Sequence, residues 1–448
     1  MLSSPRELEV LQQAINRLSC GYEHLPGMAA SVQNSWADAL LQAAERMQDN
    51  DPYFHPLYCG QMLKPPHPAA RLAYALAMLI NPNNHALDGG RASSAMEREC
   101  VSQIAAMFGW QEPFLGHLCG GGTMANFEAL WISRELSLGK RVAASSQAHY
   151  THGRLANVLQ LPFVAVPVDQ HARMNLAELE KELQTGEVGT VVATAGTTAL
   201  GAVDPIADLI ELRQKYGFRL HVDAAYGGYF RLAENLDPET RRNFAAISQA
   251  DSIAIDPHKH GLQPYGCGCI LFRSSNVARF YLHDSPYTYY TSDELHLGEI
   301  SLECSRAGAA AVALWTTMQN LPLSLGGEFA QGLEAGHRAA LGLYQWLSEQ
   351  PQFVPLIRPE LDIVVWGVQA KSALESSRTA RQFFEAARQQ NVYLALATMP
   401  RELAQPAGFI QEWDEPQLTC LRSTLMKPEH AQWLPEITRR LSLARGAS

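Results

Sequence analysis

The stretch Phe218-Arg219-Leu220-His221-Val222-Asp223-Ala224-Ala225-Tyr226-Gly227-Gly228 reads as a short strand over 218–223 that ends on a carboxylate and gives way to a glycine pair. Working upstream, 190–194 is a buried strand, and Asp204-Pro205 opens a helix that runs to Tyr216 between the two. Farther back, an Ala- and Leu-rich amphipathic pattern predicts a helix over 125–138, followed by strands at 141–145 and 163–168. Asn175 is placed to cap a helix over 176–183, and Gly186 ends it. Downstream, 252–255 and 267–273 complete the series of strands. Strands separated by helices imply right-handed crossovers and a mostly parallel sheet with helices on both faces, an α/β fold. Ligands in such sheets sit beyond the carboxyl ends of the strands, where Thr194, Asp223 and Lys259 all fall.

The flanks differ from this centre. Residues 1–54 are predicted as an N-terminal helical segment, 55–323 as the large domain, beginning in an extended Pro- and His-rich stretch at 55–68, and 324–448 as a small C-terminal α+β domain. That last unit carries a long helix at 328–350, strands at 363–368 and 417–425, and a helix at 376–390 between them. A chain of 448 residues is too long for one compact core, so several structural units are expected. With 47% apolar and 18% charged residues it reads as globular and soluble. A formal net charge of −10 and the lack of any Lys- or Arg-rich run argue against nucleic acid as a partner. The charged start lacks the apolar core of a secretory signal, and the longest apolar candidate, 72–80, is about half the length a bilayer needs, so no membrane partner is expected. Eight cysteines without regular spacing fit a reduced, cytoplasmic chain. Cys267-Gly268-Cys269 lacks the second pair a zinc site needs, so no metal is expected.

The chemistry-bearing residues converge on one end of the sheet. In Asp256-Pro257-His258-Lys259-His260 the lysine follows the strand bearing Asp223, and that pairing suits pyridoxal phosphate. A lysine amine condenses with the cofactor aldehyde, while a carboxylate keeps the pyridine nitrogen protonated and makes the ring an electron sink. Gly120-Gly121-Gly122-Thr123-Met124-Ala125-Asn126 opens a helix whose backbone N–H groups, those of Gly122, Thr123 and Met124 among them, can face a phosphate at the positive end of the dipole. His149 follows a strand end, placed to lay its imidazole against the cofactor ring, and small Ala225, on the same strand face as Asp223, leaves room on the other side.

Together these segments resemble the pyridoxal-phosphate-dependent group II amino-acid decarboxylases, the family of the glutamate, aromatic amino-acid and cysteine-sulfinate decarboxylases. The resemblance runs over about 51–428 and rests on Gly-Gly-Thr at 121–123, Ser145-Ser146-Gln147-Ala148-His149, Thr194-Ala195-Gly196-Thr197-Thr198, His-Val-Asp-Ala-Ala at 221–225 and Pro-His-Lys at 257–259. It implies an aspartate-aminotransferase-like, fold type I large domain and a homodimer with shared active sites. It further implies that Lys259 forms the internal aldimine, Asp223 pairs with the pyridine nitrogen, His149 stacks on the ring, Thr123 and His258 help hold the phosphate, and Thr194 lies near the ring. The expected reaction is decarboxylation of an L-amino acid through a quinonoid intermediate, with a mobile-loop tyrosine supplying the proton; Tyr287, Tyr289 and Tyr290 lie in the matching segment 284–294, and Tyr290 is the one chosen. Gln61 and Arg422 match positions that contact substrate, and His85, in the polar loop 81–90, is the candidate contact across the dimer.

Two positions depart from the family pattern: Asp256 stands where Asn is usual before Pro-His-Lys, and His260 where Trp often follows. The stretch 301–309 also looks like the corresponding part of sphingosine-phosphate lyases and archaeal tyrosine or aspartate decarboxylases. A carbon–carbon lyase, an aldehyde-forming oxidative deaminase or an aminotransferase on the same fold is therefore the second reading, because the electron sink serves them all. A non-enzymatic pyridoxal-phosphate-binding protein is the third.

Overall fold

The strand ending in Asp223 lies at the middle of a seven-stranded sheet in a computed structural model that describes residues 4–25, 36–282 and 297–445. The strands are β1 (Leu115–Cys119), β2 (Arg141–Ser145), β3 (Phe163–Val166), β4 (Val188–Thr194), β5 (Arg219–Asp223), β6 (Ser252–Ile255) and β7 (Gly268–Phe272). They run in the order β1-β7-β6-β5-β4-β2-β3. The pairs from β3 through β2, β4 and β5 to β6 are parallel, and β7 is antiparallel to both β6 and β1. The fold is thus α/β of type I, with a mostly parallel sheet. β4 and β5 are almost wholly buried; β4 reads as a largely apolar run, whereas β5 alternates and buries His221 and Asp223 by giving them hydrogen-bond partners.

Helices Thr151–Val158, Leu176–Gln184 and Ile206–Tyr216 make the crossovers. Asn175 caps the second by accepting from the N–H groups of Ala177 and Glu178, and Gly217, at φ 74°, ends the third in the left-handed conformation. Two local readings change. The helix expected from 125 begins at Gly122, because the glycines themselves form its first turn, with the Met124 and Ala125 N–H groups donating to the Gly121 carbonyl. The strand expected over 163–168 stops at Val166, before Pro167.

A second sheet, β10-β11-β9-β8, is antiparallel throughout and comprises β8 (Phe353–Pro355), β9 (Ile363–Val368), β10 (Ala395–Pro400) and β11 (Gln417–Thr424). Trp366, fully buried, packs edge-on to Phe353 and Phe383 beneath the helix Ala373–Gln389. Residues 57–59 belong spatially to this unit: the Cys59 N–H donates to the Tyr393 carbonyl and its own carbonyl accepts from Thr424. The two sheets are tied where the site lies. Tyr226, just past β5, donates its hydroxyl to Asp362 Oδ1 at 2.6 Å, and Leu361 and Ile363 pack into the core of the larger unit. Among the described residues no helix is long and apolar enough to cross a membrane.

Candidate active site

At the carboxyl edge of the larger sheet the ends of β4, β5 and β6 and the start of the helix Gly122–Leu136 enclose a cavity of about 460 Å³. That size falls in the range of small-molecule sites. Its lining brings together Gly122, Thr123, Met124, His149, Thr194, Asp223, Ala225, His258 and Lys259, all of the residues expected to hold the cofactor.

Asp223 forms one end. Its Oδ2 accepts from His152 Nε2 at 2.8 Å and from Asn126 Nδ2 at 3.1 Å, and its Oδ1 accepts from the Ala225 N–H at 3.1 Å. Burial by itself would raise the carboxyl pKa. The His152 hydrogen bond and positive potential, with the Lys259 charge, overcome it and hold Asp223 well below the usual carboxylate range. A second layer orients the donor: the His221 ring, pushed down to about 3 by burial and so neutral, contacts Ser252 Oγ through Nδ1 and donates through Nε2 to Asn126 Oδ1 at 2.8 Å. That bond fixes the Asn126 amide with its N–H toward Asp223. His149 is half-buried, its Nδ1 lies 2.7 Å from Thr151 Oγ1, and burial lowers its pKa.

The opposite end is built from the glycine run and the 256–259 turn. Gly121 sits at φ 145°, a conformation that favours glycine, and a Cβ on it would come 3.1 Å from the His258 ring. Lys259 Nζ lies 3.1 Å from Asp256 Oδ2, and His258 Nε2 lies 3.4 Å from the same oxygen. Several buried polar atoms here have no hydrogen-bond partner among the described residues: Thr194 Oγ1, His258 Nδ1 and Asp256 Oδ1. Buried polar atoms are rarely left so, and their gathering in one cavity marks it as a place for a polar ligand. A helix start, a lysine amine, an ionised carboxylate and these unmatched polar atoms fit pyridoxal phosphate.

A neighbouring groove shares His149 and Thr198 with the cavity and adds Gln61 and Arg422. Arg422, on β11, is 5% exposed. Its Nη1 donates to Gln61 Oε1 at 3.1 Å, while Nε and Nη2 have no partner among the described residues. The structure thus brings Gln61 and Arg422 beside His149. It does not bring His85 there: that ring lies against Cys304, with Nδ1 3.5 Å from Sγ. Tyr290 lies outside the described residues. The sequence reading missed His152, Asn126 and Glu303, whose Oε2 accepts from the Gly120 N–H at 2.8 Å. The only signal for His152 is a second histidine three residues past His149, and Asn126 lies in the glycine-rich helix start with nothing in its local sequence to mark it as a donor.

Residues 131–366 match the pyridoxal-dependent decarboxylase conserved domain. That span holds His149, His152, Thr194, Asp223 and Lys259, whereas the glycine run, Gln61 and Arg422 fall outside it. Over the longer chain, the sequence is 30% identical to an L-tyrosine decarboxylase of Enterococcus faecium, across 75% of this chain and 72% of that one. It is 28% identical to an L-aspartate decarboxylase of Thermococcus kodakarensis, across 81% of this chain and 92% of that one. The fold superimposes on mouse CSAD with a TM-score of 0.78 at 21% identity, covering 99% of this chain and 92% of that one. It superimposes equally, at 0.78 and 16% identity, on Oryza sativa TDC with PLP and tryptamine, covering 98% of each.

Proposed function

This chain belongs to the pyridoxal-dependent decarboxylase family, and from that premise we propose how its residues divide the work of an amino-acid decarboxylase. The enzyme uses pyridoxal phosphate to convert an amino acid to its amine and carbon dioxide. Bound in the cavity, the cofactor supplies the electron sink for the pair released as the carboxylate departs. The observation that carries the assignment is Asp223, held ionised by His152 and Asn126 in the same cavity as Lys259 and the helix start at Gly122.

In this reading Lys259 is the covalent attachment residue and Asp223 keeps a proton on the ring nitrogen. His149, steadied by Thr151 and kept neutral by burial, stacks on the ring, with Ala225 leaving the other face clear. The N–H groups of Gly122 and Thr123, with the Thr123 hydroxyl and His258, hold the phosphate, whereas the Met124 N–H, expected to join them, is taken by the Gly121 carbonyl; Thr194 Oγ1 finds its partner near the ring. Arg422, its Nη1 held by Gln61 and its buried Nε and Nη2 unmatched among the described residues, is assigned to a substrate carboxylate. Tyr290 is assigned the proton that replaces carbon dioxide at Cα, and Tyr290→Phe is expected to lose amine formation.

A second copy of the chain is part of the proposal. The helices Pro5–Cys20 and Trp36–Met47 bury no residue, yet they carry exposed Leu8, Trp36, Leu40, Leu41 and Met47, the kind of apolar surface that marks an interface. His85 would then serve the neighbouring subunit's site. A monodisperse, active monomer in light scattering would overturn this part.

The deciding experiment incubates purified protein and pyridoxal phosphate with tyrosine, aspartate and a pool of other amino acids, and follows products by mass spectrometry. An amine with loss of carbon dioxide is expected, and none from Lys259→Ala. A keto acid or aldehyde in its place would move the chain to another reaction of the same cofactor.

A further inference from the structure

Asp256 has no part in the contacts assigned above. Its carboxylate is 2% exposed, with Oδ2 3.1 Å from Lys259 Nζ and 3.4 Å from His258 Nε2, and Oδ1 accepts no hydrogen bond among the described residues. Gly122 makes room for it: a Cβ there would stand 2.9 Å from Oδ2 and 3.2 Å from Oδ1. Burying a carboxylate is costly, and placing one where a phosphate must also be held adds repulsion. Anchoring the lysine geometrically would need no charge, since a carboxamide of the same shape accepts the same hydrogen bond.

We propose that Asp256 is the proton acceptor that frees the Lys259 amine to attach to the cofactor aldehyde and then returns that proton as water leaves. The inference rests on Lys259 being the attachment residue. An ammonium has no lone pair, so Lys259 must shed a proton before Nζ can attack. Asp256 Oδ2, in contact with Nζ, takes it and leaves a neutral amine beside a neutral acid. As the Nζ–C bond forms, the C=O π pair moves to the aldehyde oxygen, which collects a proton from Nζ. Asp256 then donates its proton to the same oxygen, water departs, and the Nζ lone pair closes the C=N bond. The ammonium, the carboxylate and the aldehyde become a cationic C=N nitrogen, a carboxylate and water, so protons and charge balance.

The surroundings leave Asp256 as the acceptor with spare capacity. Asp223 already has both oxygens engaged, and Glu303 accepts from the Gly120 backbone. Among the described residues, the groups of positive or potentially positive charge that Asp256 faces are Lys259 and His258 in its own turn and His149 from the β2 edge. The thiols of Cys119, Cys267 and Cys269 and the phenols of Tyr229 and Tyr265 also feel its charge, and burial raises all of them, so they stay neutral and do not compete.

The test follows attachment of pyridoxal phosphate to cofactor-free protein by stopped-flow absorbance, for wild type and Asp256→Asn, between roughly pH 6 and 9. The wild-type rate is expected to vary little with pH. The variant is expected to be at least ~10-fold slower near neutrality and to climb about tenfold per pH unit, because only the free-amine fraction then reacts. Equilibrium binding of pyridoxine 5′-phosphate, which has ring and phosphate but no aldehyde, is expected to be unchanged or tighter in Asp256→Asn. A wild-type rate and pH profile in the variant would overturn the proposal, and so would loss of pyridoxine 5′-phosphate binding, which would make Asp256 part of the cradle. Borohydride reduction and peptide mass spectrometry keep the two readings apart. A pyridoxyl mass anywhere but Lys259 removes the attachment assignment itself, whereas label on Lys259 with an unchanged Asp256→Asn rate removes only the role of Asp256.

Discussion

Asp223 accepts three hydrogen bonds from His152, Asn126 and the Ala225 backbone, whereas Asp256, buried at the end of the next strand, has one oxygen facing Lys259 and His258 and another with no donor among the described residues. Both lie beyond the carboxyl ends of the sheet, in the same cavity. The first is over-determined: one of its donors, Asn126, is itself fixed by His221, and its charge is locked in. A group that must keep one protonation state through every turnover is best held this way, since fixed dipoles need no reorganisation at the moment of reaction. The second is under-determined, which suits a group that must change state. Within one cavity, the degree to which the protein satisfies a buried carboxylate separates a fixed charge from a working proton site.

The largest test of this contrast is Asp223→Asn, which keeps the shape and removes the charge. We expect kcat to fall by ~10²–10³-fold or more, comparable to losing a preorganised electrostatic group in other sites, while Lys259 still attaches the cofactor. Steady-state kinetics with absorbance spectra check this, and a variant within a few-fold of wild type would break the comparison at its strongest point. The next effect belongs to Arg422, which like Asp256 is buried with unmatched polar atoms. Arg422→Lys replaces a planar fork by a point charge. The loss of about 2 kcal/mol of charged hydrogen bonding should raise KM by roughly 30-fold and leave kcat less affected. A fall in kcat alone, with KM unchanged, would place Arg422 away from substrate.

The same contrast explains what could be read from the sequence. β2 and β6 were expected at the residues where they occur, because a strand buried on both faces leaves an unbroken apolar run. β1 escaped notice because His117 interrupts it. That side chain is wholly buried, paired with Glu128 at 2.8 Å, and nothing local distinguishes it from a surface histidine. The edge strand β10 carries Thr398 and ends on Pro400, and β8 is only three residues long. In the site, the residues on strand ends and the glycine run were legible because their positions follow from the topology. His152 and Asn126 were not, because their use depends on two helix starts, far apart in sequence, converging on one carboxylate oxygen.

His152 gives the smallest and most specific effect. Two influences act on Asp223 in opposite directions, with burial raising its pKa and the His152 hydrogen bond and charge, aided by Lys259, lowering it. Because the folded-state pKa is depressed, the stability this carboxylate contributes is present above its unfolded value, about 3.9, and is lost as pH falls through the folded value. His152→Gln removes the largest lowering influence and leaves the burial. The Asp223 pKa should therefore rise, moving the acid limb of the kcat/KM profile to higher pH by about one unit or more, with little change near neutrality. The acid-side loss of thermal stability should move in the same direction. If both limbs stay where they are in the wild type, Asn126 and the Ala225 amide suffice to hold the charge, and the over-determination of Asp223 would rest on the backbone and the Ser252–His221–Asn126 chain.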